Sequence, residues 1–581
     1  MLTLSSQQAT ELLRYAREQL FVQFGLKQDN TVLPPTELDS LDFQKLNITL
    51  RIKGVLRASM SGKGATLTEA VSKAIHNCLN DKRFLGGPVV ASELDKIHLE
   101  LWVQVDKQPL DNTHLDEMKK QFELGVHGIE IRRDNHYAYY KPSVAITSNT
   151  QRLERLLEKL CKKARLNPTD WQLDNVLIHR THWLHYIEPM KGSKEATSLF
   201  RLRSRRESAI NAETISQALY LTTRRLCASQ RADGSYNYIY NAYKDTFDNE
   251  AFNMVRMAGC AYAVARASDC LPEIQPVAEA SADKAIRYLL ALSHPIKTSN
   301  DGIFIADGTT RKRSQQGKLG TLALTLLALQ FGPFSQRFAN ERKQLVNSIL
   351  SLQNTDGSFQ CYIPQKADPI KGQNFFPGET LLALGHEFKH TQDQRIIEAA
   401  EKAFPYYQKY FQTDPSTAFA PWQIDAWRVF HEIQQARKND QSTAYAEFLF
   451  AMVDWLLKYQ YTADNSPCSD YLGGFRVGSL PSMSTTVYVE AIIRACHLAE
   501  QLGFEEKSNR YREAARIGLA FSLKLQLTEE ESFLFSQPEL AIGGITHNLL
   551  TFQIRNDFDQ HGMTAFIAAL ETPSVITHRD T

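Results

Sequence analysis

Two carboxylates stand close behind prolines in segments typical of helix starts. Glu379 follows Pro377 by two residues in the segment FFPGE, and Asp425 follows Pro421 by four residues in the segment PWQID. Proline is favoured in the first turn of a helix, so both acids are predicted to lie near helix N-termini and to share a cavity. Burial and like-charge repulsion would then leave one acid protonated and the other ionised near neutral pH. Such a pair can cleave a glycosidic bond when its carboxyl groups lie roughly 5 to 10 Å apart.

A second set of side chains offers a different proton chemistry. Tyr488 or His561 can remove a proton next to a uronate carboxylate whose charge Arg555 neutralises, which gives epimerisation or β-elimination. The sequence leaves this chemistry and hydrolysis open. Six polar or aromatic residues at predicted helix starts are candidates for substrate binding, and they are Asp248, Trp422, Gln423, Glu490, Arg555 and Asp557. Each also has a structural interpretation as a helix cap, a first-turn acid or a core aromatic residue.

One short motif predicts metal chemistry instead. His386, Glu387 and His390 form an H-E-x-x-H segment, in which two histidines on one helical face can bind zinc while the glutamate acts as a base. His386 lies nine residues beyond Pro377, about 14 Å along the helix from its start, so the motif falls at the wrong end for the predicted site. We therefore expect no metal and no other cofactor, and zinc at this motif stays the alternative.

These candidates require a repeated helical architecture after about residue 209. From there the strand pattern disappears, and segments with helical apolar spacing continue to about residue 570. A phrase close to Gln-x-x-Asp-Gly-Ser-aromatic recurs at helix ends, with its marks at Gln230, His294, Gln353, Gln412, Gln460 and Gln526. The spacings of 64, 59, 59, 48 and 66 residues each fit two helices and their loops.

Between these marks, six new helices are predicted to begin, at Asp248, Gly317, Pro377, Pro421, Ser484 and Asp557. Six consecutive α-hairpins close naturally into a ring, because an open stack would leave two apolar ends exposed. We predict an (α/α)6 toroid over residues 209–581, with the inner-helix N-termini around one funnel. An open helical solenoid is the alternative.

The preceding residues follow a mixed pattern, which makes the protein multidomain. Alternating segments at Leu46–Leu56 and Ile97–Val105 predict strands, and Leu67–Leu79 and Gln151–Leu166 have helical spacing. We predict an α+β domain over residues 1–189. Residues 190–208 are interpreted as a basic, solvated linker, and its cations are Lys191, Lys194, Arg201, Arg203, Arg205 and Arg206.

Composition excludes several classes of protein. The 581 residues carry 66 Lys and Arg against 65 Asp and Glu, so no excess of positive charge favours nucleic acid or an anionic membrane. No stretch approaches the roughly 18 apolar residues of a membrane span, and the N-terminus lacks the apolar core of a cleavable signal. We expect a cytoplasmic protein whose eight scattered cysteines are reduced thiols.

The first domain resembles the AMMECR domain family over about residues 40 to 188. The phrases that carry the resemblance are Leu56-Arg57, Asp81-Lys82-Arg83-Phe84, Glu93-Leu94, Leu124-x-x-x-Gly128-Ile129 and the run from Leu157 to Leu166 with Trp171. The family's Leu-Arg-Gly-Cys-Ile-Gly turn reads Leu-Arg-Ala-Ser-Met-Ser at residues 56–61. A thiolate is absent there, and Ser59 would need a base that the sequence does not identify. The resemblance implies a fold, and we expect a binding or regulatory module that can include a protein partner.

The repeated Gln and Gly phrase of the second domain resembles the α/α toroids, which include terpenoid cyclases, prenyltransferases, lanthionine-cyclase-like proteins, glucuronyl epimerases and polysaccharide lyases. The Cys and His zinc clusters or Asp-rich motif of the first three groups are not evident in the sequence. The resemblance therefore implies a glycosidase-like hydrolase, lyase or epimerase that acts on a polar, glycan-like ligand. A non-catalytic interaction protein is the alternative, and a zinc hydrolase is a third.

Overall fold

The computed structural model describes residues 3–26, 34–83, 87–112, 114–189, 193–204, 209–248 and 250–577. Phe84, Lys191, Arg205 and Arg206 lie outside these described residues. In the N-terminal part the elements are α1 (Ser6–Val22), β1 (Lys45–Ile52), β2 (Val55–Gly62), α2 (Leu67–Leu79), β3 (Ile97–Leu110), α3 (Leu115–Gln121), β4 (Gly128–Arg133), β5 (His136–Tyr140), α4 (Ser143–Thr147), α5 (Leu153–Lys163), β6 (Leu177–Ile187), β7 (Thr197–Phe200) and β8 (Arg203–Ser204).

These strands form one antiparallel sheet in the order β2-β1-β3-β6-β4-β5, with β7 added beside β6. Helices α1 and α2 share one apolar core with β1 and β3, while α5 shares another with β4 and β6. The sheet is strongly curled. Its two end strands approach each other, since Ser61 Oγ on β2 lies 2.7 Å from Tyr139 Oη on β5. The predicted α+β fold is confirmed.

Two local predictions in this part are wrong. The segment predicted as one strand, Leu46–Leu56, turns at Lys53 and Gly54, whose φ angles of 47° and 75° reverse the chain between β1 and β2. Residues 56–61, which the family resemblance predicts as a turn, instead continue β2. Alternating polar and apolar residues fit both arms of a hairpin, so periodicity alone does not locate the reversal.

The second part is helical. In chain order its helices are α6 (Ala212–Ala228), α7 (Met254–Cys270), α8 (Gln275–Ala291), α9 (Leu319–Ala328), α10 (Phe334–Arg337), α11 (Ala339–Ser351), α12 (Phe376–Thr391), α13 (Gln394–Thr413), α14 (Ala420–Ala436), α15 (Gln441–Leu456), α16 (Ser484–Gln501), α17 (Glu505–Leu525), α18 (Pro538–Ala541), α19 (Asn556–Leu570) and α20 (Pro573–Ile576). Short strands, β9 (Ile239–Asn241), β10 (Thr246–Asp248), β11 (Ser293–Pro295), β12 (Ile303–Ile305), β13 (Gly317–Lys318), β14 (Tyr362–Ile363) and β15 (Gln553–Arg555), lie in the loops.

Six of these helices form a closed inner ring in the described part of the chain. Helices α7, α9, α12, α14, α16 and α19 each pack against the next, and α19 returns to pack against α7. Helices α6, α8, α11, α13, α15 and α17 alternate with them as the outer layer. The predicted (α/α)6 toroid is confirmed, and the open solenoid is wrong.

The recurrent glutamine is a fixed link between neighbouring hairpins. The Nε2 atoms of Gln230, Gln353 and Gln460 each donate to a backbone carbonyl in the next outer helix, in α8, α13 and α17, at 2.8 to 2.9 Å. Gln526 donates at 2.7 Å to Ala218 in α6, the first helix of the toroid, and so closes the ring. The marks at positions 294 and 412 differ, because one lies in β11 and the other is exposed within α13.

The glycine of the phrase has its own physical reason. Gly234 and Gly357 both have a φ angle of 94°, which favours glycine. A Cβ atom there would lie 2.4 Å and 2.1 Å, respectively, from a carbonyl oxygen of the adjacent outer helix. The loop therefore packs directly on helix backbone, as the repeat phrase predicts.

The basic segment is not a solvated linker where the structure describes it. Strand β7 extends the N-terminal sheet, and the Arg201 side chain, which is 1% exposed, donates to Asp470 Oδ2 at 2.6 Å and Glu123 Oε1 at 2.8 Å. Arg203 is also buried and donates to Thr546 Oγ1 at 2.8 Å. These arginines join the two parts of the protein, which local composition does not reveal because their partners are distant in sequence.

Candidate active site

The inner-helix starts lie near their predicted positions, with one exception. Five begin within two residues of the prediction, at Leu319, Phe376, Ala420, Ser484 and Asn556. The start predicted at Asp248 is wrong, because α7 begins six residues later and is capped by Asn253. Asp248 is exposed at the end of β10, where its carboxylate accepts a hydrogen bond from the Ala251 backbone N–H at 3.0 Å. The structure therefore places Asp248 in a turn ahead of the inner ring.

Unpartnered polar atoms concentrate at these helix starts. Glu379 Oε2, Gln423 Nε2, Gln560 Oε1 and His561 Nδ1 are buried and have no hydrogen-bond partner among the described residues. They lie in the first two turns of α12, α14 and α19. Each such atom costs about 1 to 3 kcal/mol unless something satisfies it, so their clustering indicates a place for polar ligand groups or water.

Glycines on neighbouring helices make room for these side chains. A Cβ atom at Gly320 in α9 would lie 2.4 Å from Glu379 Oε2, and one at Gly259 in α7 would lie 2.1 Å from Gln560 Oε1. Both contacts are closer than van der Waals packing allows, so larger residues would displace the polar groups. Glu379 and Gln560 therefore pack directly against the backbone of the neighbouring inner helices, α9 and α7.

Two of the predicted catalytic residues have complementary protonation. Burial raises the pKa of Glu379 to about 7, against a smaller lowering by Arg256, so this carboxyl group retains a proton near neutral pH. Burial, followed by Arg256, lowers the pKa of His561 to about 3, so its imidazole is neutral. The His561 ring lies 6.0 Å from the Trp422 ring, which reaches it from α14. Arg256 affects the pKa of both groups, so a potential proton donor and a potential proton acceptor lie near the same arginine.

A charged cluster at the start of α19 involves an arginine that the sequence analysis missed. Asp557 accepts two hydrogen bonds from Arg555, at 2.5 and 2.8 Å, and lies 3.3 Å from Arg256 Nε. Burial raises the pKa of Asp557, but the two arginines outweigh it and hold the pKa below its ordinary value. Two guanidinium groups share one carboxylate, so the cluster can attract an anionic or hydroxyl-rich ligand. The available signal was Arg256 in the first turn of its helix, where a cation opposes the helix dipole.

Asp425 is a different kind of acid from the one predicted. Its carboxylate accepts a hydrogen bond from Arg428 Nε at 2.7 Å. Burial raises the pKa of Asp425, but Arg428, Arg494 and His386 together hold it well below its ordinary range. The predicted mutual repulsion of Glu379 and Asp425 is wrong, because burial shifts the pKa of Glu379 and arginines shift that of Asp425.

Two further candidates lie on α16. The Tyr488 ring packs against Phe475 at 5.0 Å, and burial raises its pKa. Glu490, two residues further along the helix, accepts a hydrogen bond from Thr564 Oγ1 at 2.6 Å, and burial raises its pKa to about 7. Both side chains are buried in the ring, together with Trp422 and Gln423.

The H-E-x-x-H segment is occupied by other contacts. The Glu387 carboxylate receives hydrogen bonds from the Arg342 guanidinium at 2.9 to 3.0 Å, so it is not free to act as a base. His386 faces Phe331 with ring centroids 5.8 Å apart, whereas His390 is exposed. No group of three or more His, Cys, Asp or Glu side chains suited to a metal ion occurs among the described residues.

Two cavities of about 540 Å³ each lie away from the helix starts. One is on the outside of the toroid between α11, α12 and α13, and the other is in the N-terminal part. The helix-start residues line neither cavity, and Glu379 and Trp422 are only 3% and 9% exposed. Glu379 and Trp422 are therefore buried in the ring, whereas the Arg256 and Arg555 side chains at the same end are 30% and 31% exposed.

Residues 13–182 match the AMMECR1 family model. No curated protein sequence matches the chain. The chain is similar in structure to an uncharacterized protein, PH0010, from Pyrococcus horikoshii, with 20% identity over 33% of this chain and 96% of that one and a TM-score of 0.29.

Two further solved structures are similar over a larger share of the chain. Cellobiose 2-epimerase from Bacillus thermoamylovorans is 11% identical over 62% of this chain and 98% of its own, with a TM-score of 0.46. A family 76 glycoside hydrolase from a bovine Bacteroides thetaiotaomicron strain is 10% identical over 81% of this chain and 96% of its own, with a TM-score of 0.43. These similarities concern the fold. Among the described helices, none is long and apolar enough to cross a membrane.

The AMMECR1 part carries Ser59 on β2, facing the second of the two cavities. Its role as a protein-binding or regulatory module stays a prediction.

Proposed function

We propose that the toroid is a carbohydrate-active enzyme that transfers protons to and from a sugar or sugar-like ligand at the inner-helix starts. The observation that carries this proposal is the cluster of buried, unpartnered polar atoms on Glu379, Gln423, Gln560 and His561. A hydroxyl-rich ligand supplies the donors and acceptors that these atoms need. Packing alone does not offset the free-energy cost of burying four polar atoms without hydrogen bonds near the same helix starts.

The protonation of the side chains supports specific roles. Glu379 is the proton donor, because its pKa of about 7 leaves much of it protonated at neutral pH. His561 is the proton acceptor, because its imidazole is neutral. The Arg256, Arg555 and Asp557 cluster binds ligand oxygens, and Trp422 and Tyr488 provide aromatic surfaces for a sugar ring.

Proton transfer at carbon, as in epimerisation or isomerisation, is the reaction that these groups favour. Hydrolysis by two carboxylates would use Asp425 as the ionised nucleophile or base, but its Oδ1 atom is already held by the Arg428 guanidinium at 2.7 Å, which competes with that role. Glu379 and His561 are buried, whereas Arg256 and Arg555 are partly exposed, so these two arginines are the groups of the cluster that a ligand meets first. The glycoside hydrolase and epimerase folds to which the chain is similar leave the reaction open, so the argument depends on the side chains.

Deuterium exchange tests the proposal directly. The full chain is incubated in D2O with mannose, glucose, cellobiose and an oligouronate, and deuterium next to the carbonyl carbon is measured by NMR while chromatography detects cleaved or eliminated products. We expect exchange with at least one sugar, and a rate that falls as the pH rises through about 7, because Glu379 then loses its proton. Glu379→Gln and His561→Ala should each lower this rate by about 10² to 10⁴.

Glu398→Gln is the matched control, because Glu398 is exposed on the outer helix α13. It should leave the exchange rate unchanged. Cleavage without exchange, lost in Glu379→Gln, would reassign the toroid to hydrolysis. Absence of exchange, cleavage and sugar binding in the folded chain would favour the non-catalytic interaction protein.

A further inference from the structure

The cavity in the AMMECR1 part is lined by a lysine that is held beside Ser59. Lys141, at the end of β5, directs its Nζ atom at Asn47 Oδ1 (2.6 Å), Thr49 Oγ1 (2.8 Å) and Ser59 Oγ (3.2 Å). The Nζ atom also lies 4.8 Å from the centre of the Trp102 ring. Residues 82 positions apart are thus brought together by the curled sheet, and the base that the sequence did not identify for Ser59 is present.

The surroundings of Lys141 favour its neutral form. Burial is the main reason that its pKa is lowered to about 7; Glu100 on β3 and Cys78 on α2 oppose the shift, while Arg51 on β1 and Lys163 at the end of α5 add to it. His185 on β6 also faces this cluster, and Glu100 is already shared between Arg51 and His185. At rest the Ser59 hydroxyl donates to Asn47 Oδ1 at 3.2 Å, lies 3.0 Å from Thr49 Oγ1 and accepts from Lys141 Nζ. A neutral Lys141 has a lone pair that can take the hydroxyl proton when Ser59 reacts.

The charge of the cavity indicates an anionic ligand. Besides Lys141, three cations line it, and they are Arg51, Arg83 and Lys163. Arg51 is paired with Glu100 and Arg83 with Asp81, whereas Lys163 has no ion pair with the described residues that line the cavity. Glu100 is the one acidic residue among the described residues that line the cavity. Its side chain is buried and forms an ion pair with Arg51. Tyr139 and Tyr140 form part of the wall, and Tyr243 from the toroid reaches its edge. The cavity volume of about 540 Å³ suits a small molecule.

We propose that this cavity is a second reactive site, in which Ser59 is the nucleophile and Lys141 its general base, acting on an ester whose acyl group carries a carboxylate or phosphate. Ser59 Oγ forms a bond to the carbonyl carbon while its proton moves to Lys141 Nζ. The ester C–O bond then breaks, and the leaving alcohol takes the proton from Lys141. Water attacks the acyl-serine, Lys141 removes a proton from this water and returns it to Ser59 Oγ, and the free acid leaves.

The rate at which a fluorophosphonate probe labels the full chain measures the reactivity of the serine nucleophile. The modified residue is located by mass spectrometry after digestion. We expect modification at Ser59 with a rate that rises about tenfold between pH 6 and 8, as Lys141 loses its proton. A flat pH profile in the wild-type chain, or a label elsewhere, would overturn the proposal without any substitution.

Three variants separate nucleophile, base and scaffold. Ser59→Ala should abolish labelling, and Lys141→Arg, which keeps the charge but cannot act as a base near neutral pH, should slow it at least 50-fold. Ser92→Ala, which removes an exposed hydroxyl outside the cavity wall, should label at the wild-type rate. Wild-type labelling in Lys141→Arg would show that Lys141 is not the base.

The charge preference is tested with two esters of similar size. The wild-type chain should hydrolyse 4-nitrophenyl hemisuccinate with a kcat/KM at least tenfold above that for 4-nitrophenyl butyrate. Arg83→Ala should reduce this ratio towards one, because Arg83 is a cation in the cavity wall. Equal rates for the two esters in the wild-type chain would contradict the anionic substrate, and no hydrolysis of either would contradict the reaction.

Discussion

At the start end of the inner helices, buried polar atoms of Glu379, Gln560 and His561 have no hydrogen-bond partner among the described residues. Towards the opposite end, Glu571 joins Arg266 at 2.9 Å and Arg494 at 2.6 Å, and Glu387 joins Arg342. Both regions belong to the same ring, and Glu387 is as buried as Glu379, whereas the Glu571 side chain is 42% exposed. The fold can therefore supply a partner for a buried charge, and where it does not, the polar group is available to a ligand.

The largest effect should come from breaking a pair at the partnered end. Glu387→Gln leaves the buried Arg342 guanidinium without a counter-charge, so the free energy of unfolding should fall by about 3 to 5 kcal/mol. Urea unfolding followed by circular dichroism measures the change. His390→Ala, an exposed residue in the same segment, should change stability by less than about 0.5 kcal/mol. A loss below about 1 kcal/mol in Glu387→Gln would contradict the distinction between the two ends.

The pH dependence of stability should distinguish the unpartnered acid. Glu379 has a pKa near 7 in the folded chain and about 4.5 unfolded, so between these values the folded state binds more protons and loses stability as the pH rises. Relative to wild type, Glu379→Gln should therefore gain up to about 3 kcal/mol between pH 5 and pH 8. Unfolding of both proteins across this range measures the difference, and a constant difference would mean that Glu379 is ionised in the folded state.

Asp425→Asn should act in the opposite direction. The lowered pKa of Asp425 stabilises the folded chain above about pH 4, and this contribution is lost as the pH falls. At pH 7.5 the variant should lose about 2 kcal/mol, because a hydrogen bond from Arg428 to a charged acceptor is weakened. A neutral or stabilising effect would place Asp425 with Glu379 as an unpartnered acid.

Two glutamines provide the smallest test. Gln560→Met removes the unpartnered Oε1 atom and should leave the free energy of unfolding unchanged or slightly higher. Gln353→Met removes a side chain that donates to Ala399 and Gly357, and should lower it by about 1 kcal/mol. Equal losses in the two variants would show that Gln560 is satisfied in solution.

The fold was predictable where the signal is local. The glycines with positive φ and the glutamine that bonds the next helix recur in the sequence itself, so hairpin number and closure follow from it. The starts at Pro377 and Pro421 were found for the same reason, whereas Asn253, rather than Asp248, caps α7. The site was less predictable, because what decides the protonation of Glu379 and Asp425 is burial and the position of arginines.

Long-range pairs explain what the sequence could not predict. Arg201 and Asp470 are 269 positions apart, and Ser59 and Lys141 are 82 apart, so neither pair has a local pattern. A basic run therefore looked solvated, and Ser59 looked as if it lacked a base. Only packing of the curled sheet and of the two parts against each other brings these groups together.

The link from Gln526 to α6 gives the toroid a circular order, although the chain is linear. No hairpin is first or last in its contacts, so the ring has no terminal repeat from which unfolding can start. New chain ends could be opened between α15 and α16, for instance, and the same six interfaces would reform. The junction before α6 is the exception, because buried Arg201 and Arg203 join the two parts there, and a circular permutant must keep that connection.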